Sequence, residues 1–240
     1  MLRVRPLIHT SDVPGAADFL RALGLTPAIG PVPDHSSAVF DAGGGRVALH
    51  SCRPGSAEDG RAALAFDVGD VREFARRTEE SGTAAELCEE GHGLAARITA
   101  PDGMSFLAAA GPRETGAQPS RLSVLAVWHT PDIGPAARVL RDIGAKPRIS
   151  SAAGTWHDFR AKNGGLVAAR AAERMDVELA FEYDGDVRDL VGDLAVGGLE
   201  PVVTDGSYGR SLRIRAPWGA DVRINGCLRH VDGYAVHQQG

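Results

Sequence analysis

Leu7-Ile8-His9-Thr10-Ser11-Asp12 returns as Val127-Trp128-His129-Thr130-Pro131-Asp132, 120 residues further along the chain. Behind each copy runs a helix-like stretch that ends at glycine, residues 14–24 and 134–144. Apolar residues recur in both at helical spacing, and Gly24 and Gly144 suit a C-terminal cap. A repeat on this scale sets the architecture before any single element is read.

Further matches extend it. Gly69-Asp70-Val71-Arg72 pairs with Gly185-Asp186-Val187-Arg188, and Ala100-Pro101-Asp102-Gly103 with Ala216-Pro217-Trp218-Gly219, both at an offset of 116. Each half is itself doubled. Residues 3–12 read as a strand, 13–24 as a helix, and 25–30, 37–42 and 46–52 as strands. The same order restarts at 63–68 (strand) and 71–82 (helix), with strands near 84–89, 94–100 and 104–110. The expected fold is therefore α+β: two tandem domains, each a pair of strand-helix-strand-strand-strand modules curved around a pocket. The boundaries are 1–113 and 122–228. A linker spans 114–121 in a Pro/Gly/Ser-rich stretch, and a polar tail spans 229–240. Asp12, Asp70, Asp132 and Asp186 read as helix N-caps. Gly43-Gly44-Gly45 and Asn163-Gly164-Gly165 read as hairpin turns.

At 240 residues with a formal charge of -5, each half has room for its own core, and the chain lacks the basic surface of a nucleic-acid or anionic-membrane binder. Cys52, Cys88 and Cys227 are odd in number and far apart, which suits reduced thiols and a cytoplasmic setting. No secretory leader is expected from the polar start. The internal doubling predicts a monomer or weak homodimer.

The openings at 5–24 and 125–144, the second openings at Gly69-Asp70 and Gly185-Asp186, and the Pro-Asp-Gly turn at 101–103 resemble the vicinal oxygen chelate superfamily. That superfamily includes glyoxalase I, bleomycin-resistance proteins and extradiol dioxygenases, and the resemblance covers nearly all of residues 3–226. It implies a concave pocket and recurring metal seats that take His or Glu. Those seats correspond here to Arg5 and Leu125, to the neighbourhoods of His50 and Arg170, to Leu64 and Ala180, and to Leu107 and Arg223. Only His50 offers a metal donor, because leucine and alanine have none and arginine stays protonated. The expectation is no cofactor, with a divalent metal as the minor alternative.

His9 and His129 are the candidate catalytic residues. Strand parity puts His9 on the face of Arg5 and Leu7, and His129 on that of Leu125 and Val127. Each reads as a polar anchor or acid/base, or alternatively as a strand-end histidine bonded to a turn. Arg5, His50, Arg170 and Arg223 are candidate polar ligand contacts, the last two suited to a carboxylate or phenolate. The alternative puts both arginines on the outer face. Trp128, Trp156 and Trp218 all lie in the second half and are candidate aromatic contacts or core residues. Trp128 and His129 cannot share a face. The remaining histidines, 35, 92, 157, 230 and 237, read as surface residues. The first functional reading is metal-independent binding of a small aromatic or polycyclic molecule, for resistance, sequestration or delivery. The second is an enzyme on the same scaffold, a lyase, isomerase, cyclase or dioxygenase, using pocket histidines or an unconventional metal site.

Overall fold

The computed structural model describes residues 1–29, 36–91, 93–114, 120–206, 209–227 and 233–237. His35, His92, His230 and part of the expected linker and tail lie outside these. The first module contains β1 (Leu2–Val4), β2 (Leu7–Thr10), α1 (Val13–Ala22), β3 (Thr26–Pro27), β4 (Ser37–Asp41) and β5 (Arg46–Ser51). The second contains β6 (Ala62–Ala63), β7 (Ala65–Val68), α2 (Val71–Glu80), β8 (Ala84–Glu90), β9 (Gly93–Thr99) and β10 (Ser105–Ala110). The third contains β11 (Leu122–Thr130), α3 (Ile133–Asp142), β12 (Lys146–Ser151), β13 (Trp156–Arg160) and β14 (Leu166–Ala171). The fourth contains β15 (Asp176–Tyr183), a 3-10 turn (Val187–Leu190) running into α4 (Val191–Val196), then β16 (Val202–Gly206), β17 (Gly209–Arg215) and β18 (Asp221–Gly226). The fourfold module order read from the sequence is present. A last strand, β19 (Tyr234–Val236), pairs with β12 and extends the sheet from within the expected tail.

The two halves differ at one residue of the opening strand. In the second half β11 runs unbroken and pairs with both β14 and β15, so one nine-stranded sheet forms. In the first half the strand breaks between Val4 and Leu7, where Pro6 has no N–H to give the ladder. β1 then pairs with β7, while β2 pairs with β5 and β6, leaving two five-stranded sheets. The position 120 residues after Pro6 is Ala126, which keeps its N–H.

Side chains alternate across these strands. Val4, Ile8, Val124, Ala126 and Trp128 face the helices and join one buried core that runs through both halves. Phe19 meets the Trp218 ring at 5.2 Å and Phe106 meets Trp128 at 6.2 Å, each pair crossing from one half to the other. The expectation of a separate core for each half is corrected: helix-bearing faces of both halves bury one another. Asp12, Asp70 and Asp186 cap their helices, accepting from the backbone N–H of Gly15, Glu73 and Arg188. Asp132 makes no such bond.

The glycine hairpins tie the halves together by exchange. Gly43 N–H donates to the Leu122 carbonyl at 2.8 Å and Val124 N–H to the Gly44 carbonyl at 2.7 Å. Reciprocally, Val4 N–H donates to the Gly164 carbonyl at 3.0 Å and Asn163 N–H to the Leu2 carbonyl at 2.8 Å. Only glycine permits the approach. A Cβ on Gly165 would sit 2.6 Å from Val4 Cβ, and one on Gly164 would sit 2.8 Å from Gly45 N. Gly165 also holds φ +86°, a left-handed conformation. Gly165→Val is expected to destabilise the chain by about 2 kcal/mol or more. Urea unfolding of the variant checks this, and an unchanged midpoint would contradict the interlock.

Candidate functional site

On the second half's concave face, Leu125, Val127, Leu166, Ala168 and Ala180 form a buried apolar floor, with Trp156 packed against it. Two ion clusters flank it. At one end Arg148 bonds Asp158 (2.9 and 2.7 Å) and Glu182 (2.9 and 2.7 Å). At the other, Arg223 grips Glu178 through two bonds of 2.7 and 2.6 Å, and His129 Nε2 lies 3.0 Å from a Glu178 oxygen. Burial works against the Glu178 carboxylate, yet the bonds from His129 and Arg223 hold its pKa down at about 2. An ionised Glu178 accepts the Nε2–H proton, which leaves Nδ1 of His129 as the basic nitrogen.

Arg170 stands opposite His129 on β14 and opposite Trp156 on β13. It is half-buried and, unlike those of Arg148 and Arg223, its side chain has no hydrogen bond or ion pair with any described residue. Trp156 Nε1 is buried without a partner. Leu166, not Arg170, is the β14 residue in line with Leu125, so the expected correspondence of Arg170 with a ligand seat is corrected. Beside this face a cavity of about 770 Å³ opens between the halves. His129, Glu178, Met175 and Trp218 line it from the second half, and Arg61 and Ile8 from the first.

The first half's concave face is occupied by charge. Arg46 bonds Asp41 at 2.6 Å, Arg5 bonds Asp67 at 2.6 Å, and Arg46 reaches Asp67 at 3.4 Å. Arg3 donates to the carbonyls of Asn163, Pro112 and Arg113, and burial with Arg46's charge nearby lowers its pKa. Three guanidiniums thus face two carboxylates, and main-chain oxygens take up the remaining donors. Arg5 is therefore committed to Asp67 rather than free for a ligand. Beyond the network, His9 and His50 are register partners on β2 and β5, with ring centroids 6.1 Å apart. Burial pushes the His9 pKa down; Glu58's charge opposes this and His50's adds to it.

The three tryptophans part company. Trp128 is fully buried on the helix side, so the expectation that it contacts ligand is corrected to a core role. Trp156 lies on the concave face and Trp218 lines the cavity. Glu178, Arg148, Asp158 and Glu182 escaped the sequence reading. Strand parity alone could have found Glu178 and Glu182, two residues before and after Ala180 on the same face; Arg148 and Asp158 needed the pairing of strands.

The chain shares its fold with solved extradiol dioxygenases and a glyoxalase. The 2,3-dioxygenase LapB from Pseudomonas sp. KL28 superposes with a TM-score of 0.64 at 13% identity, covering 95% of this chain and 92% of that one. Homoprotocatechuate 2,3-dioxygenase from Arthrobacter globiformis matches at 0.61 and 16% identity, over 94% of this chain and 78% of its own. The Mn(II)-bound glyoxalase from Novosphingobium aromaticivorans matches at 0.61 and 20%, over 96% and 83%. No family model matches the chain, and no curated protein matches it in sequence.

These neighbours overturn the expectation of no cofactor, since the same scaffold carries Mn(II) in the glyoxalase. The residues at the corresponding seats do not supply the donors for such an ion. Leu125, Ala180 and Arg223 are aligned across β11, β15 and β18, and none can ligate a cation. His129 and Glu178 are donors two to four residues away, but the Arg223 guanidinium already holds both Glu178 oxygens. In the first half Arg5, Leu64 and Leu107 are equally unsuited. Among the described residues no group of three or more His, Cys, Asp or Glu converges on one point. Nor is any described helix long and apolar enough to cross a membrane.

The depressed Glu178 pKa has a consequence for stability. The carboxylate contributes fully above its unfolded value near 4.5, and the contribution is lost as pH falls through the folded value of about 2. Glu178→Gln is expected to lower stability at pH 7 by about 1–3 kcal/mol and to flatten the acid limb between those two values. Denaturant midpoints measured from pH 2 to 7 check this, and an unaltered acid limb would contradict it.

Proposed function

We propose that the chain is an enzyme acting on a small anionic aromatic molecule held on the second half's concave face. The observation that carries this is the coincidence of three features. A histidine oriented by an ionised carboxylate, an arginine with no side-chain partner and a tryptophan stand side by side across β11, β14 and β13, and the histidine and its carboxylate line a cavity of about 770 Å³. In the proposed role His129 Nδ1 takes a proton from the substrate, and Glu178 stabilises the imidazolium through Nε2–H. Arg223 holds Glu178 in position. Arg170 receives a carboxylate or phenolate, and Trp156 offers an aromatic face. This assigns proton-transfer chemistry of the isomerase, lyase or cyclase kind.

The structural neighbours support an enzyme over a purely binding role in resistance, sequestration or delivery. They include proteins named for dioxygenation of homoprotocatechuate and of 2,2',3-trihydroxybiphenyl. Dioxygenation is therefore the second reading, favoured by that fold likeness and disfavoured by Leu125, Ala180 and Arg223, which offer no metal donor. Three cysteines, odd in number and far apart in the chain, support a reducing, cytoplasmic setting.

The test is a panel of phenolic and benzoic acids, scored by tryptophan quenching and by product formation. His129→Ala is expected to abolish turnover while binding is retained. Arg170→Ala is expected to weaken binding of the anionic compounds by about tenfold or more, with little effect on neutral analogues. Full turnover by His129→Ala would overturn the acid/base role. Oxygen uptake coupled to product formation would favour the dioxygenase reading instead.

A further inference from the structure

The first half holds a pair of histidines that the proposed chemistry does not use. β2 and β5 are parallel neighbours, and His9 stands directly opposite His50 in their register. Residues opposite one another on paired strands project to the same side, so both imidazoles occupy the concave face. The rings meet edge to face with centroids 6.1 Å apart. An imidazole nitrogen binds a transition metal at about 2.1 Å, which puts the metal about 3.2 Å from the ring centroid. Two such legs span at most about 6.4 Å, so the observed separation lies within reach of a single bridging ion.

The surroundings agree with this use. Neither imidazole forms a hydrogen bond or ion pair to a described side chain, in contrast to His129 with Glu178 and His237 with Ser150. His9 Nδ1 is buried with no partner at all, a condition that carries a cost unless the ring is engaged some other way. His50 is exposed, so solvent and an ion can approach. The loop that follows brings Glu58 and Asp59 to this end of the half, and Glu58's charge acts on His9. Arg5, in the break before β2, and Arg46, on β5, are engaged by Asp67 and Asp41.

We propose that His9 and His50 form a two-imidazole chelate for a borderline transition-metal ion such as Zn(II), Ni(II) or Cu(II), with water completing the coordination. Imidazole pairs favour these ions over Mg(II) or Ca(II), which take oxygen ligands. The site lies in the opposite half from His129 and does not depend on the acid/base reading. His9 lies four positions past Arg5 and is level with His50, so the pair is displaced along the strands from the seat at Arg5.

Calorimetric titration of the metal-free chain with Ni(II) and with Zn(II) tests it, with no activity assay required. One saturable equivalent is expected, with Mg(II) giving no heat. His50→Ala and His9→Ala are each expected to weaken that equivalent by about tenfold or more. The double substitution His157→Ala with His237→Ala is expected to leave it unchanged. His50 is exposed, so its substitution leaves the core intact, and a circular-dichroism melt confirms folding of each variant. Absence of a saturable equivalent would overturn the proposal. So would binding that survives both His9→Ala and His50→Ala, or that vanishes with the His157/His237 pair.

Discussion

The opening strand of each half is completed by the other half. Leu2 and Val4 bond the Asn163-Gly164 turn, while Leu122 and Val124 bond the Gly43-Gly44 turn. Buried main-chain groups must find partners, and here each half would leave its opening strand short without its copy. The exchange demands glycine because the two turns approach backbone to backbone. Arg3 reinforces the same junction, bonding carbonyls at Asn163, Pro112 and Arg113. Core, sheets and both concave faces are positioned from this junction outward.

Duplication freed the two concave faces to diverge. In the first, Pro6 splits the opening strand, and the space beside it is filled by Arg3, Arg5, Arg46, Asp41 and Asp67. A buried network of this kind contributes order more than net stability, because desolvation offsets much of the attraction. In the second, the strand continues through Ala126, the floor stays apolar, and charge is confined to the flanks. An apolar floor with a few convergent polar groups is the usual form of a small-molecule site, which the first half no longer has.

Much of the fold was legible because it depends on local patterns. The repeated openings, the helix spacing and the turn glycines each report the backbone directly. Parity also placed His129 with Leu125 and Val127, and it separated Trp128 from His129. The site was less legible. Arg223 was seen at a ligand seat, but its carboxylate partner lies on another strand, 45 residues away. Arg170 was found as a residue type, yet its lack of a partner is a property of its neighbours. Arg5 and Arg170 look alike in sequence, and only Asp67 distinguishes them.

The sequence by itself determined that four modules exist, where each begins, and which residue types cannot ligate a metal. Those are matters of period, turn chemistry and donor type, which need no third dimension. Tertiary structure alone decided that the halves share one core, that Trp128 belongs to it, and that His129 is tied to Glu178 and His9 is set against His50. Such pairings depend on strand register between segments far apart in the chain. A one-residue slip in register would move every one of these side chains to the opposite face.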